Sequence, residues 1–253
     1  AFAFAREGAD VVLADVEADA LADTVREVRD RVAGATVVEG RRVDVSDAAA
    51  VEALAADLRA EHGVPDIVVH NAGVGVAGSA LDTGLDDWRR VVDVNLWGVV
   101  HGSRVFGRQL RERGEGGHLV AVASMAAYLP SPVLPAYSTT KAAVLAFGES
   151  LRAELAADGI GVSVVCPGIV ATGIAGSTSF AGAGGAELDN RRVRAQRLFD
   201  ARRFPPERVA EDVLRAVERD LPLVPSTPEA RLGLVLARLT PGLVRAALRR
   251  RRR

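Results

Sequence analysis

The run His118-Leu-Val-Ala-Val-Ala-Ser124, followed beyond a proline-marked loop by Pro135-Ala-Tyr-Ser-Thr-Thr-Lys-Ala-Ala-Val-Leu-Ala-Phe147, decides how this chain is read. The first piece is an apolar run of buried-strand type ending in Ser124. The second reads as a helix carrying Tyr137 and Lys141 four residues apart, on one face. Lys141 is the only lysine among the 32 Lys and Arg residues, and from Gly116 to Gly148 it is the only charged side chain. An unpaired ammonium in such surroundings would cost several kcal/mol or lose its proton. A partner is therefore expected opposite it. Tyr137 is one helical turn away, and Ser124 lies thirteen residues before Tyr137.

A free phenol titrates near ~10 and is a poor base at neutral pH. A lysine ammonium about 4 Å away, at an effective dielectric of about 20, would favour the phenolate by roughly 4 kcal/mol. That is about three pKa units, enough to bring Tyr137 near neutrality for proton transfer. Ser124 could hold a substrate oxygen by hydrogen bonding. The alternative is a core tyrosine with a snorkelling lysine.

Ser124, Tyr137 and Lys141 at these spacings resemble the catalytic set of the short-chain dehydrogenase/reductases. The resemblance covers Ala1 to about Val224. It implies a doubly wound, mostly parallel Rossmann sheet with helices on both faces, a three-layer α/β/α fold. It also implies an oxidoreductase that transfers a hydride between NAD(H) and a secondary alcohol or ketone. In that reading Tyr137 moves the proton, Ser124 positions and polarises the substrate oxygen, and Lys141 acts on Tyr137 and holds the nicotinamide ribose. Asn95, in a Val-Asn-Leu context, is the fourth catalytic candidate through a water that links the lysine to solvent. On its own it reads as a helix kink or a core hydrogen bond.

The cofactor candidates fall along the chain in order. Ala1–Gly8 reads as the end of a helix closed by glycine, and Asp10–Asp15 as a buried strand. Asp15 at its end could accept hydrogen bonds from the adenosine ribose and repel a 2′-phosphate, which favours NAD over NADP; otherwise it caps the helix Glu17–Val32. Ala35–Val43 is the third strand of such a fold. Asp44 and Val45 then match the family's adenine contact, although Asp44 alone reads as a turn residue. Ser46 or Asp47 should cap a helix reaching about His62. Asp66–His70 is a strand covered on both faces. Asn71-Ala72-Gly73 follows it as a turn that lets backbone approach a ligand. The family has Asn-Asn-Ala-Gly here, and His70 replaces the first asparagine with a larger side chain. One long helix is expected over Leu85–Arg113. Beyond the strand Gly161–Cys166, Pro167, Gly168, Ile169 and Thr172 resemble the stretch beside the nicotinamide, where the resemblance implies that the Ile169 backbone and the Thr172 hydroxyl hold the carboxamide; Thr172 could also cap a helix, and the two roles are compatible.

A dinucleotide-binding domain of this kind opens with a strand and a glycine-rich turn. Neither stands before Ala1, so the chain is expected to be a fragment lacking roughly 15–25 residues, or the tail of a longer protein. The dehydrogenase domain is expected over 1–226, with a substrate loop at about 173–204 whose phenylalanines and leucines suit a hydrophobic substrate. An Arg-rich helical tail follows at 227–253. The stretches Arg113–Ser124 and Val224–Arg231 resemble the dehydrogenase half of actinobacterial fusions that carry an α/β-hydrolase domain in front.

A net charge of -1 argues against nucleic acid. One cysteine, Cys166, excludes an internal disulfide and a cysteine zinc cluster, and the four histidines show no ligand spacing, so no metal is expected. The uncharged runs Gly116–Thr140 and Gly159–Ala186 hold prolines and glycines and read as strands and loops rather than membrane spans. The tail alternates Leu or Val with Arg and ends in five arginines, a pattern that can lie on an anionic membrane or pack on a partner subunit. Expected partners are therefore a small alcohol or ketone, a second copy in a homodimer or homotetramer, and weak membrane contact. The expected location is cytoplasmic, peripheral to the inner membrane face if the tail binds lipid. The competing reading is a non-catalytic relative or membrane-associated interaction module, because the glycine-rich cofactor loop is absent.

Overall fold

The computed structural model describes residues 1–32, 34, 37–170, 178–181, 190, 193, 197 and 204–250, with 247–250 described by backbone alone. Thr172 and most of the expected substrate loop lie outside the described residues. In order the elements are α1 (Phe2–Arg6), β1 (Val11–Asp15), α2 (Ala18–Arg31), β2 (Val38–Arg42), α3 (Ala48–Glu61), β3 (Ile67–His70), β4 (Val76–Ala77), α4 (Leu85–Val92), a π-helical turn (Asp93–Trp97) and α5 (Gly98–Arg113). Then come β5 (Gly117–Val122), a 3-10 turn (Met125–Ala127), α6 (Pro135–Leu155), β6 (Ile160–Cys166), β7 (Ser179–Phe180), α7 (Pro206–Glu218), β8 (Leu223–Pro225), α8 (Pro228–Leu239) and α9 (Pro241–Arg250).

Local chemistry sets the helix starts. Asp47 accepts hydrogen bonds from the backbone N–H groups of Ala49 and Ala50, and Thr227 accepts one from Ala230. Proline occupies the first turn of α6, α7 and α8, where its missing N–H removes no intrahelical bond. Gly114 and Gly159 close their helices at φ 74° and 68°, a left-handed conformation that glycine adopts without strain.

Every described strand pair is parallel. The main sheet runs β3-β5-β6-β8, with Leu119 opposite Val162 and Val165 opposite Val224. Strand alternation sends successive residues to opposite layers. Leu119 and Val162 pack with Ala55 of α3 and Phe106 and Leu110 of α5. Ala121, Val164 and Cys166 pack with Val99 of α5 and Val144 of α6. Val120 and Val165 face the other way, against Val213 and Ala216 of α7 and Phe4 of α1. Helices thus cover both faces, as a Rossmann-like α/β fold requires. Gly148 brings α6 close to β6: a Cβ there would lie 2.4 Å from Val164 Cγ2.

The sheet is not continuous among the described residues: β1 and β2 pair only with each other. Val12 of β1 nevertheless packs on the same cluster as Val68 of β3, so the two pieces share a core. The helix expected over Leu85–Arg113 is α4 and α5 joined by a wide π turn centred on Asn95. Such turns recur at functional sites.

Candidate active site

Parallel strands place their C-terminal ends along one edge, and the crevice there is the usual ligand site of such sheets. His70, Val122 and Cys166 end β3, β5 and β6 on that edge, and the residues that follow them build the site. Ser124 is extended (φ −171°, ψ 161°) and caps the 3-10 turn, its Oγ accepting from Ala126 N at 3.2 Å. Met125 N donates to Pro167 O at 2.8 Å, so the loops after β5 and β6 are stitched together.

Lys141 is buried in α6, and its Nζ donates to the Val122 carbonyl at 2.8 Å. That carbonyl is the partner the buried ammonium demanded. Burial still pushes the lysine down to about 8. Its Nζ lies 5.7 Å from the Tyr137 ring centre. Burial raises the Tyr137 phenol above its ordinary value, with a hydrogen bond involving Ser124 pulling the other way. The lysine-driven phenolate expected from spacing is therefore not the resting state. Removing the phenol from water is the largest influence on it, ahead of the Ser124 hydrogen bond. Ser124, Tyr137 and Lys141 are nevertheless brought together.

Asn95 is fully buried and makes three hydrogen bonds. Its Oδ1 accepts from Val74 N at 2.8 Å, and its Nδ2 donates to Val74 O at 3.0 Å and to Thr140 Oγ1 at 3.2 Å. It clamps the turn after β3 to the residue preceding Lys141. The core hydrogen bond is thus observed. Gly73 lies over this pair: a Cβ there would stand 3.4 Å from Asn95 Oδ1 and 3.5 Å from Lys141 Nζ. Asn71 and Ala72 are exposed just before it.

His70, the departure from the family turn, is accommodated by α5. Gly102 lies against its ring, where a Cβ would fall 2.5 Å from Cε1, and Ser103 Oγ is hydrogen-bonded to Nε2 at 3.1 Å. Burial lowers the His70 pKa to about 4, so the ring is neutral.

The remaining cofactor candidates lie farther along the same edge. Asp15 is exposed at the end of β1, with Oδ1 accepting from Glu17 N at 3.0 Å. Arg42 stands opposite it in register and donates through Nε to Val16 O at 3.2 Å. Asp44 Oδ1 accepts from Ser46 N (2.9 Å) and Ser46 Oγ (2.6 Å), a turn geometry that lowers its pKa. Val45 packs on Gly98, and its carbonyl is hydrogen-bonded to His101 Nδ1 at 3.1 Å. At the Pro167-Gly168-Ile169 turn, Ile169 N donates to Glu229 Oε1 at 3.2 Å.

The donor set fits a dinucleotide: a buried lysine beside an exposed Asn-Ala-Gly turn, a backbone N–H at Ile169, and a carboxylate at the end of β1. A second constellation does not compete. His118 Nε2 meets Ser163 Oγ at 2.8 Å, and Asp220 pairs with Arg152, lining a hollow of about 380 Å³. Ser163 is fully buried and donates to Leu221 O at 2.6 Å, so it offers no accessible nucleophile. Glu39, Glu61 and His62 bring ligand atoms within 4.8 Å of one another, but the Arg41 guanidinium already bridges both carboxylates.

Known proteins place this geometry. A family model described as short chain dehydrogenase matches residues 1–181. The chain belongs to the short-chain dehydrogenase family. It is 46% identical over 253 residues to "Probable oxidoreductase EphD" of Mycobacterium tuberculosis (strain ATCC 25618 / H37Rv), covering 99% of this chain and 42% of that protein. The chain thus spans under half the length of these curated relatives. It is 43% identical over 185 residues to the 1-deoxy-11-beta-hydroxypentalenate dehydrogenase of Streptomyces exfoliatus, covering 72% of this chain and 66% of that one. Among solved structures, a short-chain dehydrogenase/reductase from Burkholderia phymatum in complex with NAD superposes with a TM-score of 0.83 at 32% identity, covering 97% of this chain and 90% of that one. Sequence reasoning missed the short-chain dehydrogenase's Gly102, Arg42 and Glu229. Thr227-Pro228-Glu229 signals a helix start, but nothing in it says which turn the glutamate reaches.

Proposed function

We propose that this short-chain dehydrogenase carries out reversible hydride transfer between NAD(H) and a secondary alcohol or ketone with a hydrophobic body. The observation that carries the reading is the convergence of Ser124, Tyr137 and Lys141 below Gly73 at one edge of the parallel sheet. When bound, the nicotinamide would supply the hydride acceptor or donor. Ser124 holds the substrate oxygen, and Tyr137 exchanges the proton with it. Lys141, close to its titration at neutral pH, faces the tyrosine and would hold the ribose hydroxyls; Asn95 keeps the Gly73 turn in place above it. Because burial keeps Tyr137 as a neutral phenol, it is suited to giving its proton to an oxygen during carbonyl reduction. Asp15 supports NAD over NADP. The test is Tyr137→Phe. Alcohol-dependent NADH formation should fall by about 10²-fold or more, with NADH binding retained; undiminished turnover would remove Tyr137 from the mechanism.

A second role is favoured by the tail. Leu232, Val235, Leu236 and Leu239 form an exposed stripe on α8, continued by exposed Leu243 on α9, and the last 26 residues hold eight arginines against one acidic residue, Glu229. An anionic membrane surface suits both features. No helix among the described residues is long and apolar enough to cross a membrane, so contact would be peripheral. Deleting 241–253 and replacing Leu236 and Leu239 with glutamate should abolish sedimentation with phosphatidylserine vesicles. Unchanged sedimentation would leave the stripe to a second copy of the chain, which equilibrium ultracentrifugation would show as a dimer or tetramer.

A further inference from the structure

The first turn of α8 reaches into the candidate cofactor site. Glu229 Oε1 accepts the Ile169 N–H at 3.2 Å. It also lies flush on the preceding residue: a Cβ on Gly168 would fall 2.6 Å from Glu229 Oε1 and 2.3 Å from Thr227 Oγ1. Only glycine lets the carboxylate sit there. The helix that carries it is held in place from several sides. Thr227 is fully buried and caps it, Ala230 O accepts from Tyr128 Oη at 2.9 Å, and Gly233 lies against Leu129, where a Cβ would fall 2.3 Å from Cδ1. Tyr128 and Leu129 immediately follow the 3-10 turn that Ser124 caps, so α8 is braced against the catalytic loop itself. Glu229 is therefore carried to the Ile169 turn by a fixed element.

The Ile169 N–H is the donor that the cofactor reading assigns to the nicotinamide carboxamide, and a role for Glu229 rests on that reading. We propose that Glu229 is a positioning residue for the nicotinamide end of the cofactor. Its carboxylate holds the Ile169 N–H while the site is empty and releases it when a carboxamide oxygen arrives. Cofactor binding is then an exchange of one acceptor for another at a single backbone donor. The exchange weakens binding of the nicotinamide half and leaves the ADP-ribose half untouched. It also ties cofactor occupancy to α8, and through the Tyr128–Ala230 hydrogen bond to the loop that carries Ser124.

The test compares NADH with ADP-ribose, which lacks the nicotinamide, by calorimetry on the unaltered chain, Glu229→Gln and Glu229→Ala. Glu229→Ala should bind NADH about tenfold more tightly, the weight of one charge-assisted hydrogen bond. ADP-ribose affinity should be unchanged, and Glu229→Gln, which keeps a weaker acceptor, should fall between. In the nucleotide-free protein, amide exchange at Ile169 should be faster in Glu229→Ala. Parallel changes for both nucleotides, or weaker NADH binding, would overturn the exchange. Failure of the unaltered chain to bind either nucleotide is a different result, and would take down the cofactor reading and this proposal with it.

Discussion

Gly102→Ala tests how His70 is accommodated beside the Asn71-Ala72-Gly73 turn. The added methyl would stand 2.5 Å from His70 Cε1 and 2.8 Å from Nδ1. The ring cannot swing away freely, because it is half-buried against α5 and hydrogen-bonded to Ser103 Oγ at 3.1 Å. Overpacking of this kind costs about 1–3 kcal/mol. Replacing a glycine inside a helix returns about 0.8–1 kcal/mol of propensity. The net expectation is a loss of about 0–2 kcal/mol in urea unfolding at constant m-value. The net is small, so the decisive quantity is the coupling. In a His70→Ala background the overlap is gone, and Gly102→Ala should then stabilise by about 0.8–1 kcal/mol. The double-mutant cycle should therefore give a coupling of about 1–3 kcal/mol. A coupling below about 0.5 kcal/mol, within the usual additivity of independent sites, would show that the ring and Gly102 do not constrain each other.

The His70 pKa, lowered from 6.5 to about 4, gives a pH signature. The unfolded chain binds a proton there that the folded chain refuses, so stability drops as pH falls from 6.5 towards 4; the unaltered chain should lose about 3 kcal/mol more over that window than His70→Asn. Equal losses in chemical denaturation would mean that the ring reaches solvent. Asp15→Ala should shrink the NADH-over-NADPH preference by about tenfold, the effect of losing hydrogen bonds to a charged acceptor. A calorimetric ratio unchanged by the substitution would assign nucleotide choice to another residue, with Arg42 the first candidate.

What could be read from the residues in order was what neighbours along the chain dictate. Apolar runs ending at Asp15, His70 and Cys166 announced strands, and the family resemblance implied that they run parallel. The pair Ser46-Asp47 announced a helix start, and a single lysine in an uncharged helix announced a buried cation that needed a partner. These are local signals, because periodicity, capping and charge scarcity act within a few residues. The proposed catalytic trio belongs to the same class, since strand, loop and helix carry it within eighteen residues. Tertiary structure alone decided which distant atoms meet those groups. It gave Lys141 the Val122 carbonyl, and it left Tyr137 a partly buried, neutral phenol, because desolvation depends on every element packed around it. It set Gly102 beside His70, tied Asn95 to Val74 and Thr140, and brought Glu229 across sixty residues of chain to Ile169. Side-chain shape and hydrogen bonding select those contacts only once the layers have closed, so no spacing along the chain encodes them.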